Sequence, residues 1–264
     1  MFDLGIYLTG LAAIALFAIL GWIASVYKNN VTLVDTLWGL FFVLATAVYL
    51  TQAPETGSRA RILFVFVTGW ALRLSCHLGR RNRGASEDRR YQAIRNLNEP
   101  HFRFKSLYLI FGSQTLLAWI VSLPLLGIAL SQKPWGWLDA VGFMIGLFGL
   151  AWESIADWQL QEFKSDPNHR NAVMRAGLWR YSRHPNYFGE CCLWWGIYGM
   201  ALSSGAWWSL PGPVLMTWLL LKVTGVALLE RDIGLRRLAY ADYMHRTPAF
   251  FPWKPKRNDR NETH

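Results

Sequence analysis

With 264 residues, 53% of them hydrophobic and only 17% charged, and with 15 tryptophans, the chain has the composition of a polytopic membrane protein and not of a soluble enzyme. Its formal net charge of +10 would suit nucleic acid if the cations lined one soluble face, but they fall between long apolar runs, which excludes that partner. Cys76 stands in an apolar run and Cys191 and Cys192 are adjacent, which suits neither a mutual disulfide nor a zinc site, so no metal is expected.

Apolar runs long enough to cross a hydrocarbon core of about 30 Å, at about 20 residues each, occur near 3–27, 31–51, 61–79, 106–130, 137–158, 187–203 and 206–229. They predict an all-α integral membrane protein with seven transmembrane helices. The first run lacks a basic region before it and a small-residue cleavage site after it, so a retained span is expected instead of a signal peptide. Asp35 stands near the start of the second run and Arg73 within the third. Buried charges pair, so these two are expected to face each other. After the third run, residues 80–105 are basic and polar. In RNRGASEDRRY, Asn82 and Arg83 precede Gly84, where a backbone can approach a ligand closely, and Glu87 and Asp88 precede Arg89 and Arg90. Taken alone, that composition suits a solvated juxtamembrane cluster as well as an anion site.

The fifth run ends in WESIADWQLQEFK, where Glu153, Asp157, Gln161 and Lys164 recur at i, i+4, i+8 and i+11 as one polar stripe. The stripe is either a solvated helix end or, because Asp157 lies in a Trp-flanked stretch, the wall of a polar cavity. Next comes GLWRYSRHPNYFGE, residues 177–190. Arg180, Arg183 and His184 can pair with phosphate or carboxylate oxygens, and Asn186 and Glu190 fall at i and i+4 of a helix opened by Pro185. Anchoring at lipid headgroups accounts for Trp179 and Tyr181. It does not account for Asn186 and Glu190, since a carboxylate at membrane depth is costly without a role. A Ser-Ser-Gly-Ala turn makes the sixth and seventh runs an antiparallel hairpin, and Pro211 with Pro213 should irregularise the start of the seventh. Residues 231–247 have the spacing of an interfacial amphipathic helix, with Arg231, Tyr243 and Arg246 available to phosphates. No internal repeat interrupts a single domain over 1–264.

Eight Lys and Arg lie in 80–105, five in 164–183 and eight in 231–260, so 21 of 27 fall in segments that seven spans place on one side. That side is the cytoplasm, with Arg59 and Arg61 as exceptions on the outer side. The expected setting is a bacterial inner membrane, amino terminus periplasmic and carboxyl terminus cytoplasmic. The polar segments then share one face, where together they can enclose a large anionic cofactor.

RNRG, the Asp157 stripe, GLWRYSRHPNYFGE and a closing stretch from Tyr240 that ends in TPAFFPW resemble the membrane steroid 5α-reductase superfamily, in particular its bacterial members of unassigned substrate. The similarity covers most of the chain and is strongest over 140–253. It implies a seven-span, NADPH-dependent reductase that saturates a carbon–carbon double bond conjugated to a carbonyl in a lipid-like substrate, without an obligate protein partner, its polar loops and interfacial C-terminal helix enclosing the cofactor. Carried over position by position, it implies cofactor contacts by Asn82, Arg83, Asp157, Asn186 and Glu190, by Lys164 or Arg170, and by Arg231 and Tyr243. Arg180, Tyr181, Arg183, His184 and Arg246 join them as phosphate and aromatic contacts. The family's Gln-Glu pair in the second span and Tyr in the third are replaced here. The second span reads VDTLWG and the third-span position is Trp70, with Arg73 one turn on. Asp35 therefore takes the acid's place, with Arg73 holding it or polarising the carbonyl directly; the alternative is that Asp35 is a structural partner of Arg73. The family's histidine-rich run in the last helix is replaced by LLERDIGLRR. Isoprenylcysteine and phospholipid methyltransferases also carry RHPxYxG before a helical hairpin and use S-adenosylmethionine, which has no phosphates. The surplus of cationic segments places the reductase first and the methyltransferase second. A transporter would show an inverted repeat, and none is seen.

Overall fold

The computed structural model describes residues 2–54, 57–169, 172–223 and 238–256, and all regular structure among them is helical. Helix α1, Leu4–Lys28, is opened by Asp3, whose carboxylate accepts the Ile6 N–H, and closed by Asn29 in the left-handed region at φ 47°. Then come α2, Leu33–Gln52, and α3, Ser58–Asn82. The short α4, Arg89–Asn98, is capped by Asp88. In α5, Phe102–Val121, one turn over Leu107–Gly112 is widened, and α6, Leu123–Ala129, starts on Pro124 where no N–H is needed. Helix α7, Trp137–Ser165, is followed by a tight turn at Gly177–Arg180 and by α8, Pro185–Ser203. Helix α9, Pro211–Trp218, runs into a widened turn at Leu219–Val223, and α10 is Leu238–Arg246.

Five of these helices, α1, α2, α3, α5 and α7, are long and apolar enough to cross a membrane. The expected sixth run is the 19-residue α8, in which Asn186, Glu190 and several glycines dilute the apolar character. The expected seventh run, 206–229, is described as far as Val223, with the irregular start that Pro211 and Pro213 predict.

The chain divides into two compact units, residues 1–139 with 200–212, and residues 140–199 with 213–264. In the first, α1 packs on α2 where Gly10 meets the Tyr49 ring; a Cβ there would lie 2.4 Å from a ring carbon. Helices α2 and α3 meet where Gly39 faces Ala71 and where the Ser75 hydroxyl donates to the Thr36 carbonyl at 2.8 Å. Phe41, Phe42, Trp70 and Phe111 fill the core. At one end of this unit Arg59 is buried in a bidentate pair with Asp139 at 2.7 Å, and Ser203 also donates to Asp139. That pairing neutralises Arg59, so it does not count as a loop cation against the charge bias.

In the second unit α7 and α8 run antiparallel with their backbones in contact along a glycine seam. A Cβ on Gly149 would lie 2.5 Å from the Gly189 carbonyl oxygen, and one on Gly196 would lie 2.4 Å from the Gly146 nitrogen. Small residues allow such approach, which membrane helices use in place of a hydrophobic driving force. The seam sets Glu153 and Asp157 of α7 beside the first turns of α8.

Candidate functional site

Polar side chains gather in two clusters, one in each unit. In the first unit Asp35, in the first turn of α2, accepts from Arg90 Nη2 at 2.9 Å and from the Tyr91 hydroxyl at 2.5 Å. Arg90 also donates through Nε to Asp88 at 2.9 Å, and Asp88 caps α4 through the Arg90 N–H. One turn on, Arg95 holds both oxygens of Glu87, at 2.7 and 2.8 Å, and the Val31 N–H donates to the same carboxylate. Segment 87–95 is thereby fastened across the start of α2.

The expected facing of Asp35 and Arg73 is not observed. Trp70, against Phe42, and Ala71 and Ser75, against Gly39 and Thr36, are positions at which α3 meets α2. Asp35 instead meets a pair of residues 55 and 56 positions later in the chain.

Burial and the Asp35 carboxylate, which accepts a hydrogen bond from it, hold the Tyr91 phenol well above its ordinary value of 10. Burial pushes Glu87 and Asp88 upward, but hydrogen bonds and charge from Arg95 and Arg90 outweigh it and leave both carboxyls below their usual range. Asn82 ends α3; its oxygen accepts from Arg81 Nε at 3.2 Å, which fixes the amide orientation, and its Nδ2 is buried with no partner among the described residues. Arg83 is exposed. Gly84 is needed for its left-handed φ of 70°, and no described atom comes within 4 Å of a Cβ built there.

The second cluster is built on the glycine seam. Glu153, Asp157 and Glu190 are 2%, 7% and 8% exposed, and His184 is buried and stacked on Tyr187. Asn186 donates from Nδ2 to Asp157 Oδ1 at 3.1 Å, while its own Oδ1 is buried with no partner among the described residues. Flipping this amide would set oxygen against carboxylate, so the orientation is fixed. Of the predicted stripe, Glu153 and Asp157 are inside, and Gln161 and Lys164 are exposed.

The RYSRH turn is stitched to the chain's last described segment. Arg183 Nη1 donates to the carbonyls of Met244 and Thr247 at 2.6 and 2.7 Å, and its N–H donates to that of Pro248. The Tyr243 hydroxyl donates to the carbonyls of Trp179 and Ser182, Ser182 donates to Phe250 O at 2.8 Å, and the Trp253 N–H donates to Tyr181 O. Trp179 in turn donates to Ala156 O on α7 at 3.0 Å. Arg246 pairs with Asp242 at 2.9 Å, as does Arg175. Arg183 and Tyr243, expected among the cofactor contacts, tie GLWRYSRHPNYFGE to the segment that follows Tyr243, and Arg246 pairs within its own helix. Arg180 and Tyr181 are exposed and stack on each other at 6.0 Å. Arg170 and Arg231 lie outside the described residues.

Two residues missed as partners were Arg90 and Tyr91, whose targets are distant in sequence. The glycine seam carried a legible signal in the small-xxx-small spacing of Gly142 and Gly146.

The model of a family described as "Protein of unknown function (DUF1295)" matches residues 21–247. Among curated proteins, the "Uncharacterized protein C594.04c" of Schizosaccharomyces pombe (strain 972 / ATCC 24843) is 26% identical over 207 residues, which cover 67% of this chain and 59% of that protein. The chain therefore spans about three fifths of the length of this relative. No solved structure matches.

Proposed function

We propose that this chain, which belongs to the DUF1295 family, is a seven-span inner-membrane oxidoreductase of the steroid 5α-reductase type, with its carboxyl terminus in the cytoplasm. It binds NADPH and reduces a carbon–carbon double bond in a hydrophobic, enone-like lipid. The observation that carries this reading is Asn186, expected from the resemblance to touch the cofactor, whose Oδ1 is buried and unmet among the described residues while its Nδ2 donates to Asp157. Such an atom costs about 1–3 kcal/mol, and natural proteins leave few of them without a use.

Amide and carboxylate groups suit a ligand rich in carboxamide and hydroxyl groups, so Asp157, Asn186 and Glu190 are the residues that would hold NADPH in the second unit, with Arg180 and Lys164 for its phosphates. The cofactor supplies a hydride. Addition at the far carbon leaves charge on the carbonyl oxygen, and a positioned acid lowers that barrier. Within the second unit the buried Glu190, Glu153 and His184 are the groups able to hold that proton. Asp35, with both oxygens engaged by Arg90 and Tyr91, serves as a structural lock.

A second reading is favoured by one observation. Arg175, Arg183 and Arg246 are spent on Asp242 and on backbone carbonyls, which removes phosphate-binding capacity and suits S-adenosylmethionine in a membrane methyltransferase. One experiment separates the two. Purified protein should gain about 2.7 kcal/mol of thermal stability at a hundredfold excess of NADPH over its dissociation constant, with a smaller response to S-adenosylmethionine. Selective stabilisation by S-adenosylmethionine would reverse the ranking.

A further inference from the structure

A cavity of about 330 Å³ lies in the first unit between the end of α1 and the start of α5, walled by Ser25, Val26, Asn29, Arg95, Phe102 and Arg103. Its polar wall is cationic. Arg95 packs over the Phe102 ring at 4.3 Å and is neutralised by Glu87, but Arg103 is exposed and forms no ion pair among the described residues. Lys28 and Lys105 flank the lining residues in sequence, and the two carboxylates near the cavity, Glu87 and Glu99, both lie against Arg95, at 2.7 and 3.9 Å. The Asn29 oxygen takes a long contact of 3.3 Å from Arg95, and its amide hydrogens remain available to an acceptor.

The apolar surface leading to the cavity is equally specific. Leu16, Leu20, Ile23 and Tyr27 are all exposed, and they fall at i, i+4, i+7 and i+11 of α1. Tyr27 itself lines the cavity and is 85% exposed. A free anion has no use for a strip of aliphatic side chains three turns long that ends on a phenol. A molecule with a phosphate at one end and acyl chains at the other uses both. Phe104, beside Arg103, is likewise exposed, and aromatic side chains concentrate at the headgroup level of membranes. Basic pockets between spanning helices on the cytoplasmic side are where anionic headgroups seat.

We propose that this cavity holds the phosphate of an anionic phospholipid, with Arg103 and Asn29 as its donors and the acyl chains along the Leu16–Tyr27 stripe. The site is independent of the reaction proposed above and stands whether that reaction is a reduction or a methyl transfer.

The test uses the full chain, delipidated in neutral detergent, with phosphatidylglycerol or phosphatidylcholine added back and retained lipid measured by native mass spectrometry. Phosphatidylglycerol should be retained preferentially. Arg103→Gln should reduce its retention about fivefold, the scale of one juxtamembrane cation, and Val26→Trp should reduce it by filling the cavity. The Arg103 side chain is exposed, and its backbone carbonyl keeps the bond from Trp22 Nε1 at 3.1 Å in the variant, so Arg103→Gln tests the site without unfolding it. Equal retention of the two lipids, or unchanged retention in Arg103→Gln, overturns the proposal. So does stabilisation by inorganic phosphate alone that matches phosphatidylglycerol and shows the same Arg103 dependence, because the site would then be one for free phosphate.

Discussion

In the first unit, the carboxylates of Asp35, Glu87 and Asp88 each meet an arginine, and every oxygen has a donor within 3.2 Å. In the second unit Asn186 gives its amide hydrogen to Asp157 and keeps a buried oxygen that no described residue meets. Both clusters have the composition of a binding site, and sequence alone ranks them together. Hydrogen-bond satisfaction separates the three carboxylates of the first unit from Asn186, because a paired carboxylate has nothing left for a ligand whereas an unmet buried atom, such as Asn186 Oδ1 or Asn82 Nδ2, carries a standing cost. Asp35, Glu87 and Asp88 are therefore assigned a fastening role and the second cluster the chemistry.

The largest effect that tests this contrast is on the glycine seam that positions the second cluster. Gly196→Val and Gly149→Val push side-chain carbons into backbone atoms 2.4 and 2.5 Å away, and each should cost about 3 kcal/mol or more, since backbone cannot step aside as a side chain can. Gly69→Val in the first unit has nothing within 4 Å of its Cβ and should leave the melting temperature almost unchanged. Equal melting of the Gly196 and Gly69 variants would remove the seam as the feature that holds Asp157 against Asn186.

Next in size is the lock around Asp35. Asp35→Leu strands the buried Tyr91 hydroxyl and half of the Arg90 fork and should cost about 2 kcal/mol. Adding Tyr91→Phe should recover part of that loss, whereas adding Arg73→Met should recover none, and a double-mutant cycle on melting temperatures reads the difference. Rescue by Arg73→Met would reinstate the pairing expected from sequence.

That expectation shows where sequence reading stops. Five span positions, those of α1, α2, α3, α5 and α7, follow from the length of apolar runs, and the Pro185 start of α8 from the missing N–H of proline; each is a local rule. The partner of Asp35 depends on segment 87–95 crossing the start of α2, which is invisible to a search for opposite charges in neighbouring apolar runs. The expectation that Arg183 meets a phosphate fails for the same reason. Nothing local tells that Arg183 reaches the carbonyls of Met244 and Thr247, some 60 residues on. The glycines of α7 are legible by a local rule, in the small-xxx-small spacing of Gly142 and Gly146.

A smaller effect should separate the role of Asn186 from its contribution to the fold. Asn186→Leu removes both the Asp157 bond and the unmet oxygen, so its thermal stability without ligand should lie within about 1 kcal/mol of wild type. Its affinity for NADPH should fall about tenfold, or about 1.4 kcal/mol, read as a shift of the stabilisation curve to higher ligand concentration. An unshifted curve would exclude Asn186 from the site, and a shift seen for S-adenosylmethionine alone would move the same residue to the methyltransferase reading.

The smallest expected effect is on pH and belongs to the first cluster. Glu87 and Asp88 titrate below their ordinary values of 4.5 and 3.8 in the folded chain. Their contribution is therefore complete above those ordinary values and is lost as the pH falls through them toward the folded ones. Tyr91 has the opposite sign. Its folded value lies above 10, so its contribution is complete below 10 and is lost as the pH rises beyond it. The melting temperature should accordingly stay flat through neutral pH and fall on the acid side. Glu87→Gln should start lower and fall less steeply there, because the carboxyl whose protonation weakens the Arg95 pair is gone. If the two acid limbs run parallel, the Glu87–Arg95 pair does not fasten segment 87–95, and the contrast between a paired cluster that holds the fold and an unmet one that binds a ligand loses its first half.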